Sequence, residues 1–323
     1  MDYINYVKQA PVQGVTGLYG GVQGSLMAAA ASGGGGGGGT GVTRAIISGG
    51  WLPGDDDAID YFDIATTSNA SDFGNLLALN QDPAACGSST RACTMGGCCP
   101  DFNVIQYVTI ASTSNATDQC NMTYDAHGVY GLSNDTRGFV TGGTESPYQQ
   151  IDYFTIATTS NASNFGNNAC PARNPACCAS ITRGIIAGGG SNQIGYITIA
   201  NTSSTSDFGD LSFPSQFGGG CSNTTRGIIS QGSGQPVDYI TIDTTSNASN
   251  FGNLIDPAGQ MVAMASAVGP DRGVRCGGQS PSVTNAMEYI TFASTSNFTD
   301  FGNMVVASAA RAGTSGDHGG LTS

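Results

Sequence analysis

The chain has 323 residues, 49 of them glycine, and only 10% of its residues carry charge. Ten Lys and Arg against 23 Asp and Glu leave a net charge of −13, which argues against nucleic acid as a partner because phosphate binding needs clustered cations. Hydrophobic residues at 39% suffice for a core, and no run reaches the ~18 apolar residues of a membrane span.

Residues 1–32 follow no repeat, and their opening, Met1 to Lys8, lacks the basic start and apolar run of a signal peptide. Gly33 to Gly39 is a glycine tract that reads as a flexible linker, since no Gly-Lys-Ser/Thr follows to make a phosphate loop. Residues 1–40 are therefore expected to form an irregular anchor arm with its linker, the alternative being a strand that closes the following domain. Residues 41–323 are expected to be that domain.

From Arg44 onward the chain repeats. The phrase Arg-Ala-Ile-Ile-Ser-Gly-Gly at Arg44 has relatives at Arg91, Arg137, Arg183, Arg226 and Arg272, spaced 47, 46, 46, 43 and 46 residues apart. A second phrase centres on Tyr61, Tyr107, Tyr153, Tyr196, Tyr239 and Tyr289. A third carries an aromatic-glycine pair at Phe73, Phe165, Phe208, Phe251 and Phe301, with Gln119-Cys120 in the second unit instead. The first phrase is β-branched and ends in glycines, and Tyr239 to Thr244 alternates with period two, so each unit reads as strands. The variable stretch behind each Phe-Gly, such as 253–267, is long enough for a fourth strand. Six units of about 46 residues and four strands predict an all-β fold, a six-bladed β-propeller with kelch-like repeats. A solenoid or fibrous trimer is the alternative, but a closed ring removes free sheet edges.

The six repeat arginines could form a cationic ring around an anion. The expected role is instead structural, with each donating to backbone carbonyls or to an acid just before the repeat tyrosine, namely Asp60, Asp152, Asp238 or Glu288. Gln106 and Gly195 occupy that place in units two and four. Asp-Phe-Gly lacks every companion motif of a kinase and reads as a turn with a core aromatic. Asp55-Asp56-Asp57 reads as a solvated loop rather than a cation site. With two histidines and no nucleophile elbow, zinc motif or P-loop, neither catalytic residues nor a cofactor are expected. Carboxylate pairs for glycoside cleavage carry no positive signal.

Cys86, Cys178 and Cys221 each stand four residues before a Thr-Arg pair and read as small buried packing residues. Cys93, Cys98, Cys99 and Cys120 cluster in unit two, Cys170, Cys177 and Cys178 cluster near unit four, and Cys276 stands in unit six. Zinc spacing is lacking, so local disulfides outside a reducing cytosol are expected, with the pairing open. Nine Asn-x-Ser/Thr sequons recur, among them Asn69, Asn115, Asn161, Asn247 and Asn297. They read as a repeated polar turn, or as glycosylation acceptors in a secreted protein.

The wording Thr-Arg-Gly-Ile-Ile-Ser, then Val-Asp-Tyr-Ile-Thr-Ile-Asp-Thr-Thr-Ser-Asn-Ala-Ser-Asn-Phe-Gly-Asn (225–253) resembles a kelch-like repeat of virion proteins of cyanobacterial phages. The resemblance implies a non-enzymatic appendage, decoration or receptor-binding protein on tail, baseplate or head surface. It would dock on other virion proteins through residues 1–40 and present the ring to host cell-surface glycan. The virion is then the expected location. A glycosylated extracellular filament subunit and a glycan-cleaving enzyme are the other readings.

Overall fold

The computed structural model describes residues 42–322 except 53, 145, 147, 171–173, 233, 257–260 and 280–281. The expected anchor arm and linker, residues 1–40, lie outside the described residues. The ring described here falls within the unit Gly38–Ser323.

Six four-stranded antiparallel sheets make a six-bladed β-propeller, and no helix occurs among the described residues. The repeat phrases build the outer three strands of each blade, while the variable stretch crosses to the next blade and becomes its inner strand. Thus Arg226–Ser230, Pro236–Thr241 and Ser249–Asn253 belong to blade five, and the following Ala263–Ala267 is the inner strand of blade six. Blade one is closed by the C-terminus: Ala312–Gly316 pairs with Val42–Ser48, which pairs with Ala58–Asp63 and then Ser71–Asn75. The closing strand therefore comes from residues 312–316, at the end of the chain opposite to the arm.

This topology defines two faces. The turns from inner to second strand and from third to outer strand gather on a lower face. The hairpins from second to third strand, and the connections between blades, gather on an upper face.

Packing between blades is matched in volume where they converge. The inner-strand residues Cys86, Cys178 and Cys221 press on Gly138, Gly227 and Gly273 of the next blade, where an added Cβ would lie 2.8 Å from each Sγ. Leu132 presses on Gly184 in the same way, at 2.7 Å. Where the inner residue is Ala265 or Thr314, the next blade carries alanine instead, at Ala45 and Ala92. Cysteine or leucine against glycine, and Ala265 against Ala45, keep those interfaces closely packed.

Candidate functional site

Each repeat arginine lies at the lower end of its blade's second strand and reaches the next blade. Its guanidinium covers the ring of its own blade's tyrosine, at 4.7 Å for Arg44 on Tyr61 and 4.1 Å for Arg91 on Tyr107. The other four pairs, Arg137–Tyr153, Arg183–Tyr196, Arg226–Tyr239 and Arg272–Tyr289, repeat this at 4.6–5.3 Å. Nη1 then donates to a carbonyl one blade on: Arg44 to Ile110 (2.7 Å), Arg91 to Ile156 (2.8 Å), Arg137 to Ile199 (2.8 Å), Arg183 to Ile242 (3.1 Å) and Arg226 to Phe292. Arg272 closes the circle on Ala65 of blade one (2.9 Å). Behind each tyrosine stands the repeat phenylalanine, edge-on, as in Tyr61–Phe73 and Tyr153–Phe165 at 5.7 and 5.6 Å between centroids. Phe208, Phe251 and Phe301 repeat that geometry in their blades. In blade two Gln119 replaces the ring and donates to the carbonyls of Ile156 and Thr158.

The acidic position before the tyrosine does not pair with these arginines. It serves the connection arriving from the preceding blade. Asp152 accepts the N–H of Thr123, Asp238 that of Ser212, and Glu288 those of Ile255 and Asp256, while Gln106 does the same for Leu77. Asp60 is instead paired with the buried Arg311. In the loop 55–57, Asp56 Oδ1 accepts the N–H of Ala58 and so shapes the hairpin.

The recurring sequon asparagines are a second set of staples. Asn115 Oδ1 accepts the N–H of Asn75 in the preceding blade, and Asn161, Asn247, Asn297 and Asn69 do likewise for 121, 210, 253 and 303. The glycine of Phe-Gly permits this approach: a Cβ at Gly74, Gly166 or Gly209 would fall 2.5 Å from a carbonyl oxygen of the next blade's turn.

At the axis, inner-strand serines link neighbours. Ser133 bonds both to the carbonyl and from the N–H of Gly87, Ser222 does so with Ala179, and Ser266 with Ser222. Ser315 donates to the carbonyl of Ser266. The C-terminal tail crosses the lower mouth: Asp317 accepts the N–H of Gly269, Gly319 donates to Ser222, and Thr322 to Asp135. His318 Nε2 lies 3.0 Å from the carbonyl oxygen of Gly87, and burial pushes its pKa down, so the imidazole is held neutral.

The upper mouth is framed by a feature that sequence reasoning missed. Asp82, Gly128, Asn174, Phe217, Met261 and Ala310, equivalent positions just before each inner strand, all take left-handed backbone with φ between 52° and 65°. Their N–H groups hand on round the axis: Asp82 to Ala310, Gly128 to Asp82, Phe217 to Asn174, Met261 to Phe217 and Ala310 to Met261, at 2.7–3.1 Å. Five side chains tolerate a conformation that favours glycine because this hydrogen-bonded lip requires it. No residue type marks the position, so no sequence pattern could expose it. Beside the lip, burial raises the Asp82 carboxyl to about 6, against the pull of His127. His127 itself is held by Asp101 (2.7 Å) and Thr144 (2.8 Å).

Inside the channel, the space near His318 is about 50 Å³ and that under Tyr130 about 40 Å³. These volumes suit a few water molecules rather than a sugar or a cofactor.

Nine of the ten cysteines are buried and Cys99 is exposed. Cys86 and Cys93 stand opposite one another across a strand pair. Burial bears on their reactivity. It raises Cys120 and Cys170 to about 11 and Cys178 and Cys276 to about 12, and it pushes Cys86, Cys177 and Cys221 well up too. Thiolate, the species that is oxidised, is thereby suppressed. A thiol-specific disulfide reagent should titrate one thiol in the native protein, Cys99, and ten in denaturant. Two or more fast native thiols would contradict this packing.

No protein-family model matches the chain, and no curated protein matches it in sequence. Solved structures do match in shape. One is a fungal alcohol oxidase described as showing catalytic diversity among the AA5 family, in complex with copper. It aligns with a TM-score of 0.56 at 12% identity, over 84% of this chain and 67% of its own. A likeness at that identity concerns the fold: this chain is a six-bladed β-propeller.

Proposed function

We propose that the chain is a non-enzymatic structural protein of a virion, a ring displayed on tail, baseplate or head surface as a decoration or as a receptor-binding head for host glycan. Residues 1–40 are its attachment to other virion proteins. The wording of the repeats supports this reading, as does one observation above the others. The six repeat arginines and the sequon asparagines Asn69, Asn115, Asn161, Asn247 and Asn297 are each engaged in joining blade to blade. Those repeated positions are accounted for by rigidity, which leaves ligand recognition to the other exposed residues, the variable connections first among them. The staples also favour a structural role for the sequons over the filament reading, in which they carry sugar.

Electron cryomicroscopy of particles from the source should show a six-bladed ring on their outer surface. Particles lacking residues 41–323 should assemble and lose adsorption. Unchanged adsorption would remove the receptor role and leave the decorative one. Purified particles without the chain would overturn the virion reading.

A further inference from the structure

Among the described residues, six of the nine large exposed apolar side chains group together, while Val42, Tyr148 and Ile181 lie elsewhere. Ile255, Val305, Val306, Leu77 and Leu79 are large, exposed and located on the connections between blades, on the upper face, and Phe213 lies near the upper end of the long outer strand Ser206–Ser215 of blade four. They lie at or just past the upper ends of the outer strands of blades four, five, six and one, which are consecutive in the ring. The position two residues past each outer-strand asparagine shows the asymmetry. It is Leu77 (52% exposed), Ile255 (53%) and Val305 (50%) in blades one, five and six, but Thr123 and Ala169 after blades two and three and Ser212 at the matching place in blade four.

These side chains stand on fixed backbone. Gln106 Oε1 accepts the N–H of Leu77 at 2.8 Å, and Glu288 Oε2 that of Ile255 at 3.0 Å. A surface ordered in advance loses little entropy on binding. At one end of the arc, Leu77, Ala78 and Asn80 face Gly96, Phe102 and Val104 across a cavity of about 80 Å³, large enough for one aliphatic side chain.

Charge selects the partner. Among the described residues, the six repeat arginines lie at the lower face and Arg275 and Arg311 are buried, so none presents a cation above. Asp56 and Asp57 pair through backbone with the segment carrying Leu77, and Asp101 precedes the pocket-lining Phe102. A second copy would bring two chains of −13 together, and the same acidity repels an anionic membrane.

We propose that this upper-face arc is a docking surface for a protein that inserts an aliphatic side chain between blades one and two and surrounds it with lysine or arginine. The proposal deepens the display reading by assigning the working face and the chemistry of what it meets. Apolar anchors in pockets with complementary charge at the rim are the usual source of such affinity.

The test uses the full chain and a synthetic peptide alternating leucine with lysine, followed by calorimetric titration. Binding should weaken with salt. It should fall at least about tenfold in the charge-neutral variant Leu77→Ser, Ile255→Ser, Val305→Ser. Ile181→Ser, an exposed apolar site on the lower face, should leave it unchanged. A matched serine–lysine peptide should not bind. Equal binding of both peptides, or of the leucine peptide to parent and triple variant, would overturn the proposal. Binding of phosphatidylcholine vesicles that the triple variant loses would also overturn it, in favour of lipid. None of these outcomes depends on where the chain sits in a particle, so the virion reading stands or falls separately.

Discussion

Arg311→Ala should destabilise the ring by about 3–5 kcal/mol, the cost of leaving a buried charge without its partner. Arg311 and Asp60 are 1% and 3% exposed, and Nη1 meets Oδ2 at 2.5 Å. The same guanidinium donates to the carbonyls of Gly49 (2.6 Å), Ala58 (3.0 Å) and Ile47 (3.3 Å). It directly precedes the closing strand Ala312–Gly316, so it clamps the C-terminus onto the three strands built from residues 42–75. Burial raises the Asp60 pKa, with Arg311 pulling it back. Without the arginine, burial acts unopposed and the folded state holds a proton that the unfolded chain releases above its ordinary value of 3.8. A raised acid contributes stability below that value and loses it as pH rises, so the variant should be weaker at pH 8 than at pH 4. Denaturant melts at both values measure this. Arg311→Met with Asp60→Leu should recover much of the loss. A single variant within about 1 kcal/mol of the parent would mean that ring closure rests elsewhere.

Gly227→Ala should cost about 1–3 kcal/mol through overpacking, because its Cβ would lie 2.8 Å from Cys178 Sγ. Cys178→Ala alone should also destabilise, by opening a small void. Combined, the two changes recreate the alanine-on-alanine pairing that Ala265 and Ala45 present at the junction of blades six and one. The double variant should therefore be more stable than the sum of the single losses predicts, by about 1 kcal/mol or more in a double-mutant cycle. Strict additivity would show that the two positions do not share a packing constraint.

Rigid junctions of this kind explain how a chain so rich in glycine and so poor in charge holds one shape. Each blade is fastened to the next at three radii. The arginine on its tyrosine and the asparagine turn act at the lower periphery, and the cysteine or leucine on glycine acts in the middle. The serine hydroxyls and the left-handed lip act at the axis. Functional variation is then free to accumulate on the upper connections, where residue types change from blade to blade and backbone support does not.

The repeat phrases predicted six units of about four strands, because strand periodicity and recurrence are local properties written into consecutive residues, while the closed ring rather than a solenoid was decided by the tertiary structure. They also placed Arg44, Tyr61, Phe73 and their relatives as structural. What local pattern could not decide was which partner each side chain meets. The carbonyl one blade on, rather than an acid two strands away, receives the arginine because blades stack at an angle that only the closed ring sets. Most of the cysteines likewise gave no sign of how deeply they lie, since burial exists only after neighbouring blades have closed over them. The assignment of the fourth strand to the next blade, the closing of blade one by residues 312–316 and the left-handed lip of six dissimilar residues follow from ring closure itself. That is a global geometric condition, and it leaves no signature in any single stretch of chain.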